Sequence, residues 1–116
     1  MRAAVRIRDE VAIVDLEGSL VLGDGDAALR VVTDDLVARG GRGILLNLAQ
    51  VVRIDSAGVG ELAAAWKLAR RFGMPLKLLR PGDRVRTSLH LSQLLPLVEV
   101  FEDEGEAVAS FSPPGG

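Results

Sequence analysis

Apolar residues along the chain change period several times, and each change marks an element. Val5 and Ile7 alternate with Arg6 and Arg8, the period of two expected of a half-buried strand. Asp9-Glu10 makes a short polar break. In the following VAIVDLEG, Ala12, Val14 and Leu16 fall on one face and Val11 and Ile13 on the other. Apolar residues on both faces predict a more central strand. The two strands are spaced as a hairpin, although Asp-Glu is not a favoured turn pair. GSLVLGDG, residues 18–25, reads as a loop with an unusually apolar centre at Leu20, Val21 and Leu22. Those three either pack under the sheet edge or form part of a protein-binding surface.

After Asp26 the spacing becomes helical. Leu29, Val32, Leu36 and Val37 recur along AALRVVTDDLVARGG, and Gly40-Gly41 supply a stop. ILLNL, residues 44–48, is a nearly unbroken apolar run and predicts a buried, parallel strand. In IDSAGVGELAAAWKLARRFG the residues Val59, Leu62, Trp66 and Ala69 form an apolar stripe, which places Trp66 in the core. Lys67, Arg70 and Arg71 stand late in this helix, where cations suit its dipole. Gly73 and Pro75 end it. LKLLR is a fourth strand, and Pro81-Gly82 a turn. Asp83 can cap a third helix carrying Val85 and Leu89, residues 97–101 (LVEVF) form a fifth strand, and EDEGEAVASF a short terminal helix. Strands alternating with helices across short connections define an α/β domain with a mostly parallel sheet and right-handed crossovers.

Composition narrows the function. A chain of 116 residues with 48 % hydrophobic content forms one domain with a real core. The net charge of -2 and the lack of a long basic run give no reason to expect nucleic acid. One Trp, three Phe and no Tyr offer no base-stacking platform. The absence of cysteine excludes disulfides, thiol catalysis and cysteine metal sites. No apolar signal core opens the chain and no run approaches a membrane span, so a cytoplasmic protein without direct membrane insertion is expected.

Catalytic patterns are incomplete. A serine hydrolase elbow requires Gly-x-Ser-x-Gly, and here Ile54 occupies the place of the first glycine before Ser56. The single histidine, His90, belongs to the predicted third helix as a surface or half-buried residue. Neither phosphate-loop pattern is present. GDGD, residues 23–26, lacks the ligand ladder and final Glu of a calcium loop. One histidine and no cysteine leave no zinc site. No enzyme, metal or cofactor is expected. What remains is IDSAGVGE, residues 54–61. Asp55 or Ser56 before a helix satisfies its first N–H groups. Capping does not explain Gly58 and Gly60, each of which costs a helix about 1 kcal/mol relative to alanine. Glycine does allow another backbone or a partner to come close, and helix N-termini at the C-terminal ends of parallel strands are where open α/β sheets place their sites.

The run LLNLAQVVRIDSAGVGELAAAWKLARRFGMPLKLL resembles the STAS domain of anti-sigma-factor antagonists. That family carries a hydrophobic strand, then Asp-Ser-(Ser/Thr/Ala)-Gly-(Leu)-Gly opening a helix, then a further strand after a Gly-rich break. PGDRVRTSLHLSQLLPLVEVFEDEGEAV resembles the family's later helix, short strand and acidic terminal helix. The resemblance implies a single STAS domain over residues 1–112, with 113–116 a flexible tail. It implies a four- to five-stranded mixed, mostly parallel sheet with about four helices in a βα superhelical arrangement. It also implies a phosphoswitch. The serine after the Asp is phosphorylated by a kinase that is itself the anti-sigma factor. The unphosphorylated antagonist binds that partner, and a metal-dependent serine phosphatase resets the system. Carried onto this chain, the phosphorylation site is Ser56, with Asp55 beside it to orient the hydroxyl. The partner-binding residues are Asp55, Ala57, Gly58, Gly60 and Ser19.

Three positions depart from the family pattern. Ala57 replaces a second hydroxyl residue, leaving Ser56 as the only acceptor in the motif. Ser19 and Val21 stand where many antagonists carry acids in a Gly-Glu-hydrophobic-Asp stretch facing the partner. Gln93 stands where a glycine often ends the third helix. The Ser19 and Val21 departure keeps open a STAS scaffold or regulatory subunit of a signalling or transport complex that is never phosphorylated.

Overall fold

The computed structural model describes residues 1–111, the Asp26 side chain excepted; the tail expected at 113–116 lies outside them. In chain order the elements are β1 (Arg2–Arg8), β2 (Val11–Leu20), α1 (Asp26–Arg39), β3 (Gly43–Ile54), α2 (Ser56–Arg71), β4 (Leu76–Leu79), α3 (Asp83–Leu91), β5 (Val100–Phe101) and α4 (Glu104–Ala109). The five strands form one sheet in the order β1-β2-β3-β4-β5. β1 runs antiparallel to β2, and every other neighbouring pair is parallel. The mixed, mostly parallel sheet with four helices is the architecture expected.

Two apolar layers hold the sheet. On one face Val14, Leu16, Ile44, Leu46 and Leu78 meet Leu29 and Leu36 of α1, Leu62 and Ala69 of α2, and Val85 and Leu89 of α3. On the other, Val11, Ile13, Leu45 and Leu79 are covered by Ala107 and Val108 of α4 and by Phe111. α4 is pinned at both ends. The Glu104 carboxylate accepts from Arg6 and Arg8 at 2.6 and 2.9 Å. Lys77, buried on β4, donates to the Ser110 hydroxyl and carbonyl at 2.9 and 3.1 Å. Its ammonium also lies 4.6 Å from the centre of the Phe111 ring.

Several expectations are corrected. The alternation in β1 predicted one buried face, yet every residue of the strand is exposed, Ile7 by 68 %. The helices cover the inner strands, and β1 stands at the edge beyond them. The hairpin forms despite its turn residues: Asp9 and Glu10 both adopt left-handed backbone, at φ 51° and 67°, as a two-residue turn requires. β2 continues through Ser19 to Leu20, so Ser19 is a strand residue and not a loop residue. β3 runs six residues past the apolar stretch ending at Leu48. Its pairing with β2 carries on through Gly18↔Val51, Ser19↔Arg53 and Leu20↔Ile54, where Val51 is still buried but Ala49, Gln50, Val52 and Arg53 are exposed and the apolar pattern fades. β5 is reduced to Val100–Phe101 because the N–H of Leu97 closes a turn onto the Leu94 carbonyl. Asp83 is the first residue of α3 and does not cap it; Gly82 occupies the cap.

Candidate functional site

β2 and β3 end side by side at Leu20 and Ile54, and the chain then turns from β3 into α2. Asp55 makes that turn. Its backbone is extended, one carboxylate oxygen accepts from the Gly58 N–H at 2.9 Å, and the other accepts from the Leu22 N–H at 3.0 Å. One side chain thus caps α2 and ties it to the loop after β2. These backbone N–H groups, that of Leu22 foremost, hold the Asp55 carboxyl below the usual aspartate range because they bind only its charged form well. Both oxygens are directed at the backbone, so Asp55 positions Ser56 by fixing the first turn of the helix.

Ser56 is the first residue of α2 and is exposed. Its neighbours divide by role. Gly58 is buried, and a Cβ there would overlap the Leu20 carbonyl oxygen and come within 2.9 Å of the Ile54 side chain. The contact that needs this glycine is internal: α2 starts pressed against the end of β2. The expectation that Gly58 makes room for a partner is corrected accordingly. A Cβ on Gly60 would meet nothing within 4 Å, and that residue is exposed. Ala57 and Ser19 are half-buried. Of the apolar loop residues, Leu20 is fully buried while Leu22 is 74 % exposed beside the Asp55 anchor. Leu20 therefore packs under the sheet, as the first reading of that loop expects, and Leu22 stays in solvent. On the far side, buried Glu61 pairs with Arg30 and locks α2 to α1.

Ser56 also borders a cleft that sequence alone does not reveal. Ser56, Gly60, Ala63 and Trp66 of α2 form one wall, and Gln93 and Leu97 belong to the other. Trp66 packs partly against the core, as the helical stripe predicts, and Arg70 lies 5.2 Å from the centre of its ring. Leu97 is 58 % exposed. No local signal joins residues 56–67 to residues 92–97; only the packing of α3 beside α2 brings them together. A second cleft, lined by Arg53, Ile54, Arg84 and Ser88, opens between the end of β3 and α3. His90 is exposed in the last turn of α3 and lines neither cleft. No group of three His, Cys, Asp or Glu able to hold a metal is found among the described residues, and no helix there is long and apolar enough to cross a membrane.

An exposed serine opening a helix at the C-terminal ends of parallel strands, on a five-stranded sheet closed by an antiparallel edge, is the arrangement of a STAS domain. The chain matches the STAS domain family over residues 2–107 and belongs to it. Its fold is shared with a candidate anti-sigma factor antagonist from Thermotoga maritima, at TM-score 0.86 and 25 % identity over 94 % of this chain and 93 % of that one. It is shared with an anti-sigma factor antagonist from Mycobacterium paratuberculosis, at TM-score 0.81 and 21 % identity over 95 % and 92 %. The phosphorylated form of SpoIIAA, a Bacillus cell fate determinant, aligns at TM-score 0.73 and 20 % identity over 96 % and 100 %. No curated protein matches the chain.

Proposed function

We propose that this STAS domain is an anti-sigma-factor antagonist working as a cytoplasmic phosphoswitch, a protein-binding device and not an enzyme. In the unphosphorylated state it binds an anti-sigma factor that is also a serine kinase; phosphorylation of Ser56 releases that partner, and a metal-dependent serine phosphatase restores binding. The observation that carries the reading is the exposed Ser56 at the first position of α2, beside an open cleft and the uncovered Gly60. A kinase can reach that hydroxyl, and a partner seated over it has to meet whatever it carries.

A phosphate adds about -1.5 to -2 charges. Toward its own domain this charge is tolerated, since it sits on the N–H groups and positive end of α2. Toward a partner packed on the cleft it is an uncompensated charge that loses its water. A penalty of about 3 kcal/mol weakens binding roughly a hundredfold. Asp55, Ala57 and Gly60 are assigned to the docking face, with Asp55 setting the height of the helix end, and Gly58 supports it from beneath.

The test is capture of the partner from native lysate on wild type, Ser56→Ala and Ser56→Asp, with intact-mass measurement after expression beside the native kinase. Wild type and Ser56→Ala are expected to retain the partner and Ser56→Asp to lose it, with one phosphate added to wild type alone. The rival reading is a scaffold or regulatory subunit of a signalling or transport complex that is never phosphorylated. It is favoured by half-buried Ser19 and Val21, which place no acid on the face where many antagonists carry one. Unchanged mass together with equal capture by all three proteins would select it.

A further inference from the structure

Cations in this chain are of two kinds. Arg6, Arg8, Arg30, Arg39, Arg42, Lys77 and Arg86 each lie against a carboxylate. Arg53 and Arg84 make no ion pair among the described residues. Both line the cleft between the end of β3 and α3, which has a volume near 440 Å³. Ile54, in the same cleft, precedes Ser56 by two residues, and Ser56 borders the neighbouring cleft, to which the unpaired Lys67 also belongs. The Thr87 and Ser88 side chains add hydroxyl groups, and Asp83 is the one acid in the arginine cleft. In a chain of net charge -2, the arginine cleft thus holds two cations without an ion pair, and the serine's own cleft holds a third, Lys67.

We infer that the Arg53–Arg84 cleft is the charged half of the docking face and receives carboxylate side chains of an acidic protein segment. This rests on the proposed function in one respect, that the occupant is a protein partner. Guanidinium groups take carboxylates in paired, charge-assisted hydrogen bonds, and an exposed cationic rim speeds encounter with an acidic surface. Two guanidiniums sharing their cleft with the Asp83 carboxylate suit single carboxylates better than the dense charge of a polyphosphate. The inference also accounts for Ser19 and Val21: acids at those positions would face basic residues of a partner, and this chain presents the opposite sign. Phosphorylation of Ser56 then acts partly through the field, because it adds a charge of about -1.5 to -2 two residues beyond Ile54 of the arginine cleft.

The test maps hexaglutamate binding on the ¹⁵N-labelled full chain by NMR at low salt. The amides of Arg53, Ile54, Arg84, Thr87 and Ser88 are expected to shift. The shifts at Ile54, Thr87 and Ser88 should fall by at least half in the Arg53→Gln/Arg84→Gln variant, whose remaining spectrum reports that it is folded. Hexalysine is expected to leave these amides in place. Shifts centred instead on the unpaired Arg2 or Arg71, or unchanged by the double substitution, overturn the inference. ATP moving the same amides at tenfold lower concentration than hexaglutamate also overturns it, and assigns the cleft to a phosphate ligand. With the captured partner, Arg53→Glu/Arg84→Glu is expected to weaken binding at least tenfold and Arg71→Glu less than twofold; equal affinity of the first variant and wild type sinks the proposal. The peptide map requires no partner, so failure of capture counts against the switch and not against the cleft.

Discussion

Gln93 follows the cap of α3 and holds a left-handed backbone at φ 62°. Its N–H bonds the His90 carbonyl at 3.0 Å, the next N–H bonds the Leu89 carbonyl at 2.9 Å, and Leu89 and Leu94 are both buried. This is the Schellman closure of a helix. α2 ends in the same way with Gly73 at φ 76° in the equivalent place. The two ends differ in having a side chain where only glycine is free of strain. Gln93→Gly is therefore expected to stabilise the protein by about 0.5–1 kcal/mol in urea denaturation, after allowing for the greater freedom of glycine in the unfolded chain. Gly58→Ala has the opposite sign: the methyl meets the backbone of β2, and a loss of about 1–3 kcal/mol is expected from overpacking. Asp55→Ala should shift the Leu22 and Gly58 amide resonances together, because one carboxylate holds both. These residues also show how far the sequence speaks for itself. The Asp55-Ser56 start of α2 is legible because a cap is local. The internal demand on Gly58 is not, since Leu20 is 38 residues away and only the sheet brings it near.

Among elements, the helices α1 and α2 are legible from period alone, whereas strands at the margins are not. β1 has an amphipathic pattern with no layer to bury it, and β3 extends beyond its apolar run because backbone pairing with β2 continues while only Val51 of the extension, with Leu20 of β2, is still buried in the core. α4 is held to β1 largely by charge. The Arg6 guanidinium bonds both Asp15 and Glu104, and it is the leading reason that each carboxyl lies below its usual range. Because the folded values lie below the unfolded ones of about 3.9 and 4.3, the stabilisation is fully present above that range and is lost as pH falls through the folded values. Urea midpoints measured from pH 7 down to pH 2 should therefore decline on the acid side. Arg6→Ala should make the curve flatter there, with the largest difference from wild type near neutrality. High salt should narrow that difference, since these side chains are partly exposed.

At the scale of the whole molecule, the Ser56 turn and the α4 layer lie on different elements and are expected to act independently. Ser56→Asp should leave the melting temperature within about 2 °C of wild type, because surface changes away from a packed or paired group stay within about 0.5 kcal/mol. Its chemical-shift changes should be confined to the start of α2 and the two clefts. The aromatic ring of Phe111 rests where Gly43 has no side chain, and a Cβ there would also come within 2.8 Å of the Pro75 carbonyl oxygen. Recognition of the family pattern stops at residue 107, four positions short of that ring. A fragment trimmed to the pattern would strip the lid from Lys77, leaving its ammonium without Ser110 and the floor of β3 open to water. Such a truncated domain would melt early and be mistaken for a weak binder, so excision should respect the physical border of the fold.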